Sequence, residues 1–287
     1  MKEKNTMFDY INTLIMLIVL IVMFYPVLYI VSISFSDTIY IMKGEITFYP
    51  KGFNIDAYKM IIKDIRIPRA YLNTLIYTSV GTFVNLFMTA VAAYPLSRRR
   101  LFGRGVIIKL IIFTMFFNGG IIPTYIIVQK AGLIDTMWAL VIPNAIWTFY
   151  LLIMISFYES FETSIIESAV IDGASQYRIL FQLAIPLSKP ALASIGLFYF
   201  MGHWNSYFLP MIYLNDMKKF PLQLVLRDML LEETVKEHNS TSEAMKKLTP
   251  YALKNATIFI SMIPILLVYP FAQKYFVKGV MIGSVKG

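Results

Sequence analysis

Residues 11–36 read INTLIMLIVLIVMFYPVLYIVSISFS, twenty-six positions without one aspartate, glutamate, lysine or arginine. A helix rises about 1.5 Å per residue and needs roughly 20 apolar residues to cross the hydrocarbon layer of a bilayer. The run therefore predicts a membrane-spanning helix. Lys2 and Lys4 precede it, as in a secretory signal. Its apolar part exceeds the roughly 7–15 residues of a signal core, however, and no small-x-small cleavage site follows, so a permanent span is expected. Five more charge-free stretches follow: Ala70–Ser97, Leu110–Gln129, Thr136–Tyr158, Pro190–Asn215 and Asn255–Gln273. The six stretches hold 142 of the 287 residues. The expected fold class is all-α: a polytopic membrane protein with six transmembrane helices.

Composition agrees. Hydrophobic residues make up 57% of the chain and charged residues 15%, against about 45–50% and ~25% in soluble domains. The absence of cysteine excludes disulfides, thiolate metal sites and cysteine nucleophiles. The net charge of +9 invites a nucleic-acid reading until the charges are located. Arg98, Arg99, Arg100, Arg104 and Lys109 fill the short connection between the second and third stretches with no acid among them. The positive-inside rule places that connection in the cytoplasm. Residues 1–10 and 274–287 are then cytoplasmic ends, and Lys274, Lys278 and Lys286 agree. The long segments 37–69 and 216–254, mixed in sign, fall outside. Much of the positive charge is a topology signal facing anionic lipid headgroups, and no nucleic-acid partner is expected.

Within the spans, Pro26, Pro95, Pro123, Pro143, Pro210, Pro264 and Pro270 each remove an intrahelical hydrogen bond. Asn118-Gly119-Gly120 is the expected mid-span break, and broken helices often line transport pathways. Close helix packing at small residues competes with that reading at any single position. In segment 216–254, Leu222, Val225, Leu226, Met229 and Leu230 recur at helical spacing, predicting one amphipathic helix at the outer interface. The stretch from Glu233 to Lys247 is polar and expected to be irregular.

The longest cytoplasmic connection, 159–189, belongs to the stretch ESFETSIIESAVIDGASQYRILFQLAIPLSKP of residues 159–190. Ile165, Ile166, Ala169 and Val170 form one apolar face at helical spacing, and Ile179, Leu180 and Leu183 a second. Gly173 between them tolerates the positive φ that ends a helix. The prediction is a helix–turn–helix joined to two spans.

Glu167-Ser168-Ala169, Asp172-Gly173-Ala174, Leu183 and Ile185-Pro186, with Pro190 beyond, resemble the EAA signature of bacterial ABC-importer permease subunits. That pattern is Glu-Ala-Ala, three residues, Gly, nine residues, Ile, one residue, Leu-Pro. Here Gly173 lies six residues after Glu167 and Pro186 thirteen after Gly173. Ser168, Leu183 and Ile185 depart mildly from it. Asn73-Thr74, Ala93-Tyr94-Pro95-Leu96-Ser97, Trp204-Asn205, Tyr269-Pro270-Phe271 and residues 279–287 are similar to the carbohydrate branch related to maltose-type permeases, closest to those for multi-unit sugars. The resemblance implies a type I importer fold in which 159–189 is a cytoplasmic coupling helix for a separate ATPase. Glu167 would offer its carboxylate there, Ala169 and Ala174 would permit close approach, Gly173 would set the turn, and Asp172 would cap the second helix. It further implies a second homologous permease, two ATPase subunits carrying ATP and Mg, an extracytoplasmic solute-binding protein docking on 37–69 and 216–254, and a carbohydrate substrate. The chain has no GxxxxGK[ST] loop, so it is expected to bind no cofactor and to be no enzyme.

Polar groups inside spans are costly and often functional. Asn85, Asn118, Gln129, Asn144, His203 and Asn205 are the candidates, with His203-Trp204-Asn205-Ser206-Tyr207 as the densest cluster. Amides and hydroxyls beside flat aromatic rings suit a neutral sugar, so Asn118, Asn144, His203, Trp204, Asn205 and Tyr207 are the expected substrate path. His203 and His238 stand apart, and no HExxH, GxSxG or paired intramembrane carboxylates occur; no catalytic or metal site is expected. The alternative, a secondary transporter of a small polar solute, is weakened because the spans carry no acid.

Overall fold

The structure is a computed structural model that describes residues 6–117, 119–239 and 248–284. Among the described residues there are helices and no strands. In chain order they are α1 (Met7–Ser34), α2 (Thr38–Met42), α3 (Asp56–Lys63), α4 (Arg66–Ser97), α5 (Arg104–Phe116), α6 (Ile121–Lys130), α7 (Trp138–Val141) and α8 (Thr148–Glu159). Then come α9 (Thr163–Ile171), α10 (Gln176–Ile179), a π turn (Leu180–Ala184), α11 (Ile185–Leu187), α12 (Lys189–Trp204), α13 (Phe208–Tyr213), α14 (Leu222–Asn239) and α15 (Leu248–Ser284).

Among the described residues three helices are long and apolar enough to cross a membrane: Met7–Ser34, Arg66–Ser97 and the Tyr251–Pro270 part of α15. They coincide with the first, second and sixth charge-free stretches. Three further pairs reach spanning length only when joined across a sharp bend: α5 with α6 at 115°, α8 with α9 at 73°, and α10–α11 with α12 at 77°. The 115° bend falls on the expected Asn118-Gly119-Gly120 break, although Asn118 itself lies outside the described residues. The stretches Thr136–Tyr158 and Pro190–Asn215 read as uninterrupted spans in the sequence. Both are interrupted here, at 142–147 and 205–207.

Proline is an uneven guide to these breaks. Pro26, Pro95, Pro264 and Pro270 stay inside continuous helices. Pro123, Pro190 and Pro210 occupy the first turns of α6, α12 and α13, where a missing N–H costs little because it has no intrahelical acceptor. Only Pro143 sits in a break.

The chain divides into two compact units. The first comprises Met1–Pro68 and Val225–Ile263. In it the turn after α1 is pinned by Phe35, whose ring stacks on Phe53 and Tyr58 at 5.6 and 4.8 Å, and by a 2.8 Å bond between the Ser34 and Tyr58 hydroxyls. The helix predicted in segment 216–254 is α14; Leu222 and Leu226 of the expected apolar face are buried, and so is Leu224, which lies off that face. It runs on to Asn239, through half of the segment expected to be irregular; residues 240–247 lie outside the described ones. Likewise α15 continues to Ser284, through most of the expected tail.

The second unit, Arg69–Leu224 with Pro264–Gly287, holds an extended apolar core. Tyr94 from α4, Met154 and Tyr158 from α8, Ile179 and Leu180 beside the π turn, and Ile195 and Tyr199 from α12 meet in it. The segment before α14 is fastened to α4 by polar bonds. Asn73 donates to the carbonyls of Lys218 and Phe220 at 2.9 and 3.1 Å. The Tyr77 hydroxyl donates to the Lys219 carbonyl at 3.0 Å, and Thr74 accepts the Leu222 N–H at 2.8 Å. Asn73-Thr74 is therefore a clasp, built from the first turns of a spanning helix.

A second clasp holds the same segment to the α6–α7 turn. Asp135 adopts φ 61°, a conformation that aspartate tolerates better than most residues. Lys219 Nζ donates to its carboxylate at 2.5 Å, and the N–H groups of Asp216 and Asn215 donate at 3.1 and 3.0 Å. These donors, Lys219 first, hold the Asp135 carboxyl down to about 2. Because the folded value lies below the ordinary one, this clasp contributes stability above about pH 4 and loses it as pH falls toward 2. Thermal unfolding midpoints measured across that window should decline, and Asp135→Asn should flatten that part of the profile.

Candidate functional site

The connection 159–189 folds as the helix–turn–helix its sequence predicts. α9 ends in a Schellman motif: the Gly173 N–H donates to the Val170 carbonyl at 3.0 Å and the Ala174 N–H to the Ala169 carbonyl at 2.9 Å. That closure requires a left-handed residue, and Gly173 supplies φ 78°. The expectation that Asp172 caps the second helix is corrected. Asp172 is the last half-turn of α9, and Ser175 is the cap of α10, accepting the Arg178 N–H at 3.3 Å. A Schellman turn needs two residues beyond Asp172 to reverse the chain, so only Ser175 is in register. Beyond α10 the chain widens into the π turn, and Pro186 lies in the first turn of α11, the short helix that follows.

α9 has two faces. Ile166 and Ala169 pack on the core, as does Ala174 after the turn. Ile165, Val170 and Ile171 point away from it, with Ile171 84% exposed. Glu167 and Ser168 lie on exposed positions between them. Tyr177 of α10 adds another ring, 78% exposed. The element is anchored through its root: Arg104 forms an ion pair with Glu159 and donates from Nε to the Leu96 carbonyl at 2.6 Å. A cleft between Arg98–Arg100 and α9 encloses 1800 Å³, open solvent included. At its edge the Arg98 guanidinium lies 4.4 Å over the Tyr94 ring. Its Nε and Nη2 are buried and have no hydrogen-bond acceptor among the described residues.

The two broken helices meet at a second site in the same unit. Backbone groups freed by a break at membrane depth must find other partners, and two buried side chains supply them. Asn85 of α4 donates from Nδ2 to the Asn144 carbonyl at 2.7 Å. The Tyr199 hydroxyl accepts the Trp147 N–H at 3.1 Å and bonds the Thr89 hydroxyl at 2.8 Å. Asn85 Oδ1 lies 3.0 Å from His203 Nε2 at the end of α12. The Asn144 carbonyl can only accept, which fixes the Asn85 amide orientation. Asn85 Oδ1 then accepts, so Nε2 of a neutral His203 carries the proton. His203 Nδ1 is thereby left as an acceptor. Gly81 makes the approach possible, since a Cβ there would come within 2.6 Å of His203 Nε2.

Around this network lies a cleft enclosing 660 Å³, open solvent included. Asn144, Trp147, Tyr150, Tyr199, His203 and Ser206 line it, with Thr74 and Tyr77 at one wall. Trp147 stacks on Tyr150 with centroids 5.7 Å apart and planes 8° apart. Tyr150 stacks in turn on Phe198 at 5.8 Å and 13°.

Of the sequence candidates, Asn144 and His203 face one another across this cleft through Asn85, itself a candidate. Trp204 does not line it: it is fully buried, stacked on Phe200 and edge-on to Tyr71. Asn205 bonds back to the Met201 carbonyl at 3.0 Å and ends the helix. Tyr207 is exposed in the break. Gln129 is on α6, and Asn118 lies outside the described residues. Trp147, Tyr150 and Tyr199 were missed. Their only signal was aromatic spacing beside Pro143-Asn144, indistinguishable in sequence from lipid-facing rings. Among the described residues no group of three or more histidine, aspartate or glutamate side chains stands close enough to hold a metal.

No family model matches the chain. It is 41% identical to Protein LplC of Bacillus subtilis over 287 residues, 99% of this chain and 97% of that protein. It is 38% identical to the polygalacturonan/rhamnogalacturonan transport system permease protein YtcP of the same organism, over 99% of this chain and 100% of that one. A crystal structure of a bacterial ABC transporter involved in the import of the acidic polysaccharide alginate contains a similar chain, at 32% identity with a TM-score of 0.87, covering 96% of this chain and all of that one. An all-helical membrane chain with that likeness over nearly its full length belongs to the permease subunits of carbohydrate ABC importers.

Proposed function

We propose that this chain pairs with a second, homologous permease to pass an oligosaccharide into the cytoplasm, driven by two separate ATPase subunits that bind ATP and Mg. The observation that carries the reading is the outward face of α9, where Ile165, Val170 and Ile171 surround the exposed Glu167. Exposed apolar residues grouped around a carboxylate on an ordered element mark a docking surface. Ser168, Ala169, Asp172, Gly173, Ala174 and Pro186 shape it rather than touch cargo. Both termini are cytoplasmic in this reading, since the five basic residues at 98–109 lie on the same side as α9. An extracytoplasmic binding protein delivers the sugar to the outer segments 37–69 and 216–254. Relatives named for polygalacturonan/rhamnogalacturonan and alginate favour a cargo of several sugar units.

The test is uptake in vesicles containing the assembled system. Accumulation of labelled oligosaccharide should require ATP and persist when uncouplers collapse the proton gradient. Uptake abolished by uncouplers with ATP held constant would instead support a secondary transporter.

A further inference from the structure

We propose that the cleft between the two helix breaks is a sugar subsite on this chain, shaped for the uncharged face of one pyranose ring. The inference rests on the carbohydrate reading above and narrows it to named residues.

Three observations converge there. First, irregular backbone at membrane depth persists only where protein buries it or where it lines a cavity. The breaks at 142–147 and 205–207 both border this cleft. Second, the rings are arranged as a platform. Trp147 and Tyr150 are nearly parallel, and Trp147 remains 49% exposed. The C–H face of a pyranose is apolar and flat enough to cover such a surface. Third, the polar groups are fixed before any ligand arrives. The bonds from Asn144 through Asn85 to His203 set the imidazole tautomer. They leave Nδ1 to accept a sugar hydroxyl, with no donor to it among the described residues, and the Ser206 hydroxyl stands on the same lining. A pre-set acceptor beside a flat ring is what selects a polyhydroxylated ring over a lipid chain.

Among the described residues the lining contains no lysine, arginine, aspartate or glutamate. A uronate carboxylate would find no counter-charge, so an acidic cargo would present here a neutral ring or the hydroxylated face of an acidic one. Any carboxylate would be met elsewhere.

The experiment uses the whole importer in proteoliposomes at saturating binding protein, with a panel of neutral and uronic-acid oligosaccharides of two to six units as probes. Trp147→Ala should lower the uptake rate of transported probes about tenfold. Trp147→Tyr, which keeps a ring, should restore most of it. His203→Leu, unable to accept from a hydroxyl, should discriminate among probes that differ in one hydroxyl. If wild-type importer carries panel sugars and both Trp147→Ala and His203→Leu match it, the subsite is wrong and the carbohydrate reading stands. A Trp147→Ala defect confined to uronates overturns the uncharged-face assignment. If wild-type importer carries no sugar of the panel, the carbohydrate reading falls, and the subsite with it.

Discussion

Replacing Gly173 by valine is expected to cut ATP-driven uptake at least tenfold while leaving insertion and folding of the spans intact. The reason is local and concerns the backbone. Gly173 sits at φ 78°, where an L-residue pays about 1–2 kcal/mol and a β-branched one more. A Cβ at this position would meet nothing within 4 Å, so the penalty is conformational rather than steric crowding. The cheapest escape is to leave the left-handed region. That breaks the Gly173–Val170 and Ala174–Ala169 bonds and redirects α10 relative to α9. A docking surface made of Ile165, Glu167, Val170 and Ile171 on one side and Tyr177 on the other would then no longer present one shape. Gly173→Ala should show an intermediate loss and Gly173→Asn a small one, because asparagine visits the left-handed region more readily. Sugar-stimulated ATPase measured beside uptake across this series reads the coupling directly. Wild-type uptake by the valine variant would show that the turn does not carry the motor's push.

Replacing Asn85 by leucine should give the largest loss of stability. Its side chain is fully buried and holds two partners at once, the Asn144 carbonyl and His203 Nε2. Leucine fills similar space but strands both groups away from water. Each stranded group costs about 1–3 kcal/mol, so the pair predicts a deficit of roughly 2–6 kcal/mol against a total stability of only about 5–15 kcal/mol. The thermal midpoint of the purified protein should drop markedly and membrane yield with it. Asn85→Asp keeps an acceptor for His203 but loses the donor to Asn144, and should fall between. An unchanged midpoint in the leucine variant would mean that the break at 142–147 is held by something other than this amide.

What could be read from the sequence divides along a physical line. Charge exclusion is a property of each residue with its neighbours, and it located α1, α4 and the membrane part of α15 well. The turn at Gly173 was equally legible, because positive φ is a local demand on one residue type. The cap of α10 was misassigned to Asp172 because the Schellman turn consumes two more residues before the next helix can start. The breaks at 142–147 and 205–207 were not legible. The backbone of the first is bonded by Asn85 and Tyr199, which lie more than fifty residues from Asn144 and Trp147 in the chain, and only folding brings them together. The same holds for the cleft. Asn144 and His203 stood out as polar residues in apolar stretches, whereas Trp147 and Tyr150 looked like any interfacial rings. Trp204, the most conspicuous ring in the sequence, turned inward to pack.

The two bends that flank α9–α11 give this element the geometry of a crank. α8 spans Thr148–Glu159 and α12 spans Lys189–Trp204, so both shafts start at the bends beside α9–α11 and end beside the cleft. Their 12 and 16 residues correspond to roughly 18 and 24 Å of rigid helix. A tilt of about 10° at the elbows would swing their far ends by roughly 3 and 4 Å, for shafts of those lengths. A displacement of that size is comparable to the thickness of a sugar ring. If α9 takes the motor's push as proposed, a small stroke there would shift the Trp147 and His203 sides of the cleft, with no part of the motor needing to reach them.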